Sequence, residues 1–378
     1  MSALPLIAEH AELFNGKRVL LRLDLNVPID KGEVRDAYRI RESLPTINFL
    51  RAQGARIVII SHIGKGTPED TLVPVSDFLQ KIFPITFLPS LMSNENLRLT
   101  TEMQNGDVLM LENLRHSKGE EANDPAFAEY LASLGDVYVN DAFSVSHRAH
   151  ASVVGVPKLL PSFAGLRLAE EISRLTLALK PEHPFLFILG GAKMATKMPL
   201  LKKFLDRADY VFVGGALANN FFKAQGYEIG TSLYDAQESL GLESELNNKK
   251  LLLPTDVVVK NAGGSEGRLL VDVTPGDKIV DIGPQTITAL EPIIGAAKLI
   301  VWNGPLGFYE EGFTEATREL LELIAGSRAT SIIGGGDTVA LIDQLGMLDR
   351  FSFVSTGGGA MIDFLANETL PGIEVLRV

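Results

Sequence analysis

Two lysines four residues apart, Lys193 and Lys197, follow a glycine pair in LGGAKMATKMPLL (189–201). At that spacing they share one face of a helix, where like charges repel mildly. The pair is either a solvated basic face or the two sides of an anion site. SIIGGGDTVALIDQLG (331–346) reads as a strand, a glycine turn and a helix start. The backbone amides of Gly335, Gly336 and Thr338 are then placed to meet a phosphate at a helix N-terminus. Asp337 is either a ligand for Mg2+, a hard cation held by one or two carboxylates plus phosphate oxygens, or the N-cap of that helix. STGGGAMIDFL (355–365) repeats the arrangement, with residues 356–359 leading into a second helix. Two such elements within about thirty residues exceed what turns require. Neither a Walker A loop nor a G-x-G-x-x-G after a strand is present, so P-loop and nicotinamide chemistries lose their main support.

The first half of the chain carries charge where the second carries glycine. Asp24 and Asn26 follow VLLRL, Arg39 stands just ahead of a helix, and His62 follows IVIIS. Arg115 follows LEN, and Arg148 lies in SVSHRAHAS. All sit at the same end of successive strands, where the βα loops of an open sheet converge. An anion gripped there gains roughly 1.5–3 kcal/mol for each charged hydrogen bond. His116, His147 and His150 are read as supporting residues. Residues 1–165 hold 10 of the 18 arginines but only 10 of the 35 glycines. Segregating the two kinds of donor points to two substrates, a small anion and a nucleotide.

Strands must present these residues. Short apolar runs near 18–23, 57–61, 85–88, 107–112 and 136–140, then in FLFILGG, YVFVGG, KLIVWNGP, SIIGGGDT and FSFVSTGGGA, read as buried parallel strands. Helices are expected over 39–54, closed by Gly54, and over 124–135, with Asp124 as N-cap and Pro125 at the first position. AGLRLAEEISRLTLALK (164–180) is a third helix, falling where arginine chemistry gives way to glycine chemistry. The fold class is α/β, with two Rossmann-like three-layer domains of parallel sheet joined by this hinge helix. The boundaries read as 1–165 for the anion domain, with a tail of about 366–378 returning to it, and 166–365 for the nucleotide domain. A net charge of −12 argues against non-specific nucleic-acid binding. The absence of cysteine removes disulfides, thiolate nucleophiles and cysteine metal sites. No apolar run is long enough to span a bilayer, and the N-terminus lacks a signal-peptide pattern, so a cytoplasmic enzyme is expected.

RLDLNVP with Arg39, SHIGK, LENLRHSKGEEANDP, VNDAFSVSHRAHAS, LGGAKMATK, WNGPLGFYE, IIGGGDT and STGGGA resemble, in order, the motifs of the phosphoglycerate kinase family. The resemblance runs from about residue 17 to the C-terminus. It implies reversible phosphoryl transfer between 1,3-bisphosphoglycerate and ADP, giving 3-phosphoglycerate and ATP, with Mg2+, in a cytoplasmic monomer that closes about a hinge. Carried onto this sequence, it assigns Asp24, Asn26, Arg39, His62, Lys65, Arg115 and Arg148 to phosphoglycerate. Lys193 meets the transferring phosphoryl group, Lys197 the nucleotide phosphates, and Glu310 the ribose. Gly335, Gly336, Asp337 and Thr338 form the phosphate loop, with Asp337 on Mg2+. Gly358, within residues 357–359, faces the phosphoryl group in flight. Two departures stand out. Lys65 occupies a position where the family usually has arginine, ahead of a shortened segment. Ser144, Val145 and Ser146 replace the usual glycine-threonine-alanine, which removes a hydroxyl expected near the substrate. The rival readings are another acyl-phosphate-forming kinase, a two-lobed anion-binding protein and an inactive relative.

Overall fold

The computed structural model describes residues 4–236 and 241–377. The chain divides into two compact units, one of residues 1–173 and 369–378 and the other of residues 174–368. In the first unit the strands are β1 (Arg18–Arg22), β2 (Ile29–Asp30), β3 (Glu33–Val34), β4 (Arg56–Ile60), β5 (Thr86–Leu88), β6 (Val108–Leu111), β7 (Val137–Asn140) and β8 (Ser162–Ala164). β2 and β3 form a hairpin whose turn residues Lys31 and Gly32 both have positive φ, as a two-residue turn matching strand twist requires. The other six make one parallel sheet in the order β5-β6-β4-β1-β7-β8.

The second unit contains β9 (Phe185–Leu189), β10 (Tyr210–Val213), β11 (Leu251–Leu252), β12 (Asp256–Asn261), β13 (Gly264–Leu269), β14 (Lys278–Ile282), β15 (Leu299–Asn303), β16 (Thr330–Gly334) and β17 (Phe353–Val354). Its parallel sheet runs β11-β10-β9-β15-β16-β17, the doubly wound order in which ligands bind where the strand sequence reverses. That reversal lies between β9 and β15. In the first unit it lies between β1 and β7. The expectation of an α/β protein built on two parallel sheets is met. The sequence reading contained no counterpart of the antiparallel sheet β13-β12-β14, because β13 is an exposed polar strand (GSEGRL) with no apolar run to betray it.

Local signals explain the helices. Asp124 caps Pro125–Ser133 by accepting from the Phe127 amide at 2.9 Å. Helix Tyr38–Ala52 ends before Gly54, whose φ of +74° reverses the chain. Helix Leu166–Thr176 starts on the buried Asp141 carboxylate, which accepts from Arg167 N at 2.8 Å and Leu168 N at 3.1 Å. The Arg167 guanidinium then reaches Glu42, the Tyr38 hydroxyl and Glu171. Residues 369–377 pack within the first unit: Gly372 N donates to Ser146 O at 2.8 Å, and Val375 lies against the buried cluster of Ala142, Val145, Val153 and Val154. Val145 is thus turned into the core, so its missing hydroxyl is not missing from a substrate pocket. Among the described residues no helix is long and apolar enough to cross a membrane.

Burial pushes the Asp141 carboxyl up to about 7, against the opposing pull of Thr46 and the Leu168 and Arg167 amides. A folded-state value above the unfolded one of about 3.9 means the native state holds the extra proton. Its stabilising contribution is complete below about pH 3.9 and is lost as pH rises through about 7. Asp141→Asn cannot ionise, so its melting temperature relative to wild type is expected to climb between pH 5 and pH 8. A difference that stays constant across that range would count against this linkage.

Candidate active site

In the first unit, the segments leaving β1, β4, β6 and β7 bring the charged residues together. Arg39 is the second residue of helix Tyr38–Ala52, inside it rather than ahead of it. Its Nη1 pairs with Asp24 at 3.2 Å and donates to Asn26 O at 3.0 Å. Asn26 Oδ1 accepts from Gly64 N at 3.0 Å, which ties the loop after β1 to the loop after β4. The Arg115 guanidinium donates to Gly64 O and pairs with Glu121. Arg148 Nε donates to His147 Nε2 at 3.3 Å.

His62 is 3% exposed. Burial first, then the guanidinium groups of Arg22, Arg115, Arg148 and Arg39, hold its imidazole well below the ordinary value. Burial and then Arg148 likewise lower His150 to about 4. The largest charge effects on His62 all come from guanidinium groups. Such a concentration of cations is relieved by an anion.

Lys65 is exposed, and its loop is closed from within. Asp70 Oδ2 accepts from the amides of Lys65, Gly66 and Thr67, each at 2.9 Å. Its carboxyl lies below the usual range because these amides outweigh desolvation. The shortened segment after SHIGK is therefore an ordered turn built on one carboxylate. His116 caps the same turn through Thr67 O.

The second unit builds its site on bare backbone. A Cβ on Gly190 would overlap the carbonyl oxygens of Gly304 and Pro305, and one on Gly335 would lie 2.8 Å from Gly304 N. Gly358 approaches Gly335 as closely: its Cβ would sit 3.1 Å from Gly335 Cα. Helices Gly336–Gln344 and Gly358–Asn367 thus start side by side, and their first-turn amides have no intrahelical acceptors. The N-cap of the first is Gly335, with φ +107°. Asp337 is the second helical residue, so the N-cap alternative fails. Its carboxyl is raised by burial and then by Glu310; both residues line one cavity. The buried Thr338 hydroxyl has no hydrogen-bond partner among the described residues.

Lys193 and Lys197 do not share a helix face. Lys193 is the exposed N-cap of helix Met194–Arg207. Lys197 is buried, donates to Gly190 O and lies over Gly191 and Gly304. Burial lowers its ammonium to about 8. The cavity beside Gly191 and Gly215 is lined further by Asn219, Phe222, Leu306 and Phe308. Sequence reasoning passed over these residues, although the glycines after YVFV and VWN marked both of its walls. It also passed over Arg22, a charged residue inside the apolar run of β1 that makes four polar contacts.

The family model described as phosphoglycerate kinase matches residues 9–368. A curated phosphoglycerate kinase of Herpetosiphon aurantiacus is 43% identical over 382 residues, covering 96% of this chain and 97% of its own. That of Dictyoglomus turgidum is 44% identical, covering 97% of each. Among solved structures, phosphoglycerate kinase from Coxiella burnetii superposes with a TM-score of 0.81 at 37% identity, and that from Pyrococcus horikoshii with 0.86 at 31%. Both cover 96% of this chain and 96% of their own.

An anion bound beside Lys197 raises an ammonium that burial has lowered to about 8. Near that pH, ADP binding measured calorimetrically in buffers of different ionisation enthalpy is expected to take up protons. Lys197→Met should abolish the uptake. Equal uptake by both proteins would remove Lys197 from the phosphate site.

Proposed function

The chain belongs to the phosphoglycerate kinase family, and from that premise we propose that its first unit holds phosphoglycerate and its second holds the adenine nucleotide. It is a phosphotransferase with a carboxyl acceptor, interconverting 1,3-bisphosphoglycerate plus ADP and 3-phosphoglycerate plus ATP. The observation that carries the assignment of the first unit is the set of four guanidinium groups bearing on the buried His62. Asp24, Asn26, Arg39, His62, Arg115 and Arg148 are its anion grip, with the exposed Lys65 at the rim. For the second unit the support is the pair of adjoining helix N-termini at Gly336 and Gly358 beside a cavity lined by Glu310 and Asp337.

In the direction that consumes ATP, a carboxylate oxygen of 3-phosphoglycerate attacks the γ-phosphorus. A new P–O bond forms as the bond to the β,γ-bridging oxygen breaks, and ADP leaves with that electron pair. The nucleophile is already ionised near neutral pH, so no proton has to be removed. What the protein supplies is alignment and charge. Arg39 orients the carboxylate, Lys193 follows the transferring group, and the amides at the Gly358 helix start neutralise its equatorial oxygens. Lys197, Gly335, Gly336 and Thr338 hold the remaining phosphates. Among the described residues no cluster of three or more metal-ligating side chains occurs. One carboxylate, Asp337, faces the cavity near a second, Glu310. That sparse arrangement fits a metal completed by phosphate oxygens and water. Asp337 would hold Mg2+, which would offset negative charge on the nucleotide phosphates. Donor and acceptor belong to different units, so transfer requires them to close together and exclude water. The helix Leu166–Thr176, which spans the division between the units, is the proposed hinge. The enzyme is proposed to work as a cytoplasmic monomer on small molecules, with no nucleic-acid or membrane partner.

ADP release from MgATP should depend on 3-phosphoglycerate. Lys193→Ala should reduce kcat on the order of 10³-fold, the scale of losing a transition-state cation. Lys65→Ala should act mainly on KM. Turnover without 3-phosphoglycerate, or equal kcat losses in the two variants, would contradict these roles.

A further inference from the structure

Arg22 is a fully buried guanidinium on the last residue of β1, with no exposed surface. Its Nε donates to Ser152 Oγ at 2.9 Å, one Nη donates to Leu23 O at 2.5 Å, and the other lies 3.2 Å from His62 Nδ1. Ser152 passes the contact on. Its hydroxyl donates to Glu120 Oε1 at 2.6 Å, while Glu120 Oε2 accepts from Ser152 N at 3.0 Å. Glu120 is itself fully buried. A buried carboxylate, a hydroxyl, a buried guanidinium and an imidazole thus form one chain ending at the anion grip.

The chemistry of that last contact leaves one solution. A guanidinium has donors and no acceptor, so His62 Nδ1 must be the acceptor. The ring proton then resides on Nε2. We propose that Arg22, anchored to Glu120 through Ser152, is a positioning residue that locks His62 in its neutral Nε2–H form, so that His62 serves phosphoglycerate as a hydrogen-bond donor rather than as a cation. The inference rests on the assignment of phosphoglycerate to the first unit.

The surroundings agree. Arg22 on β1, Arg115 after β6, Arg148 after β7 and Arg39 on helix Tyr38–Ala52 all oppose a charge on His62, after burial itself. Burial pulls the Arg22 guanidinium below its ordinary value, Glu120 and then Tyr138 and Asp24 oppose that pull, and Arg148 adds to it; a guanidinium starts so far above neutral pH that it stays charged. Net positive charge comes from arginines, which stay charged across this range, while His62 is kept neutral. The grip therefore keeps the same charge from mildly acid to alkaline pH.

The test begins on the unaltered enzyme with ¹⁵N-labelled histidine, the His62 signals being assigned by their loss in His62→Gln. The expected spectrum has an unprotonated Nδ1 and a protonated Nε2, unchanged between pH 8 and pH 5.5. A proton on Nδ1, or titration near the ordinary histidine value, would overturn the proposal. Arg22→Met combined with Glu120→Gln removes both buried charges together, so neither is stranded. In that variant His62 should titrate. Its KM for 3-phosphoglycerate, as a ratio to wild type, should be raised on the order of tenfold at pH 8 and fall toward pH 6 as the imidazole gains charge, with kcat little changed. A ratio independent of pH would mean Arg22 acts only as structure. Adding 3-phosphoglycerate to wild type separates the two levels of the argument. If the His62 signals show the predicted tautomer but do not respond, the substrate assignment fails. If they respond but carry the proton on Nδ1, the positioning role fails.

Discussion

The second unit depends on backbone approaching backbone where the strand order reverses. β9 and β15 are neighbours in the sheet but distant in sequence, and the chain leaving each one turns across the other. Gly190 N donates to Asn303 O, Gly191 N to Pro305 O, and Gly304 N to Gly334 O. None of these crossings tolerates a side chain at Gly190, Gly304 or Gly335. Removing the Cβ atoms draws the loops together and leaves helix-start amides at the surface of the crevice. The same closeness traps Lys197 above Gly191 and Gly304, where burial makes its charge costly. Fold and phosphate chemistry here have one cause.

The first unit solves a different problem with the same sheet architecture. Under the proposed assignment its ligand is small, and its cluster is made of side chains rather than amides, so their mutual repulsion must be contained. Asp24 balances Arg39, Glu121 balances Arg115, and the buried Glu120 balances Arg22 through Ser152. His62 faces guanidinium groups, and burial and their charge disfavour its protonated form. The C-terminal residues close the structure beneath this loop cluster, through Gly372 on Ser146 and Val375 on Val145. The departures at Val145 and Ser146 therefore belong to packing.

What could be read from the sequence follows from what leaves a periodic or compositional mark. Parallel strands buried on both faces appear as apolar runs, and β1, β4, β9, β15 and β16 were all visible that way. Glycines at strand ends marked the crevice. Side-chain direction left no such mark. Lys193 and Lys197 were placed on one helix face because their spacing allows it, yet the helix begins between them and their environments are opposite. Asp337 reads as an N-cap candidate because aspartate favours that position, but Gly335, two residues earlier and with positive φ, takes it. Arg22 escaped notice because a lone charge inside an apolar run reads as an interruption. Its meaning came only from Ser152 and Glu120, more than ninety residues away. The antiparallel sheet escaped because β13 buries almost nothing.

The most direct measurement is a pair of titrations on Gly304→Ala, one with ADP and one with 3-phosphoglycerate. A Cβ at that position meets Gly190 O at 2.7 Å in a backbone conformation of φ +92°, so the crevice between β9 and β15 has to open. Loss of ADP affinity with 3-phosphoglycerate affinity intact is the predicted result. Unchanged ADP affinity would contradict the claim that bare backbone at the strand reversal makes the nucleotide site.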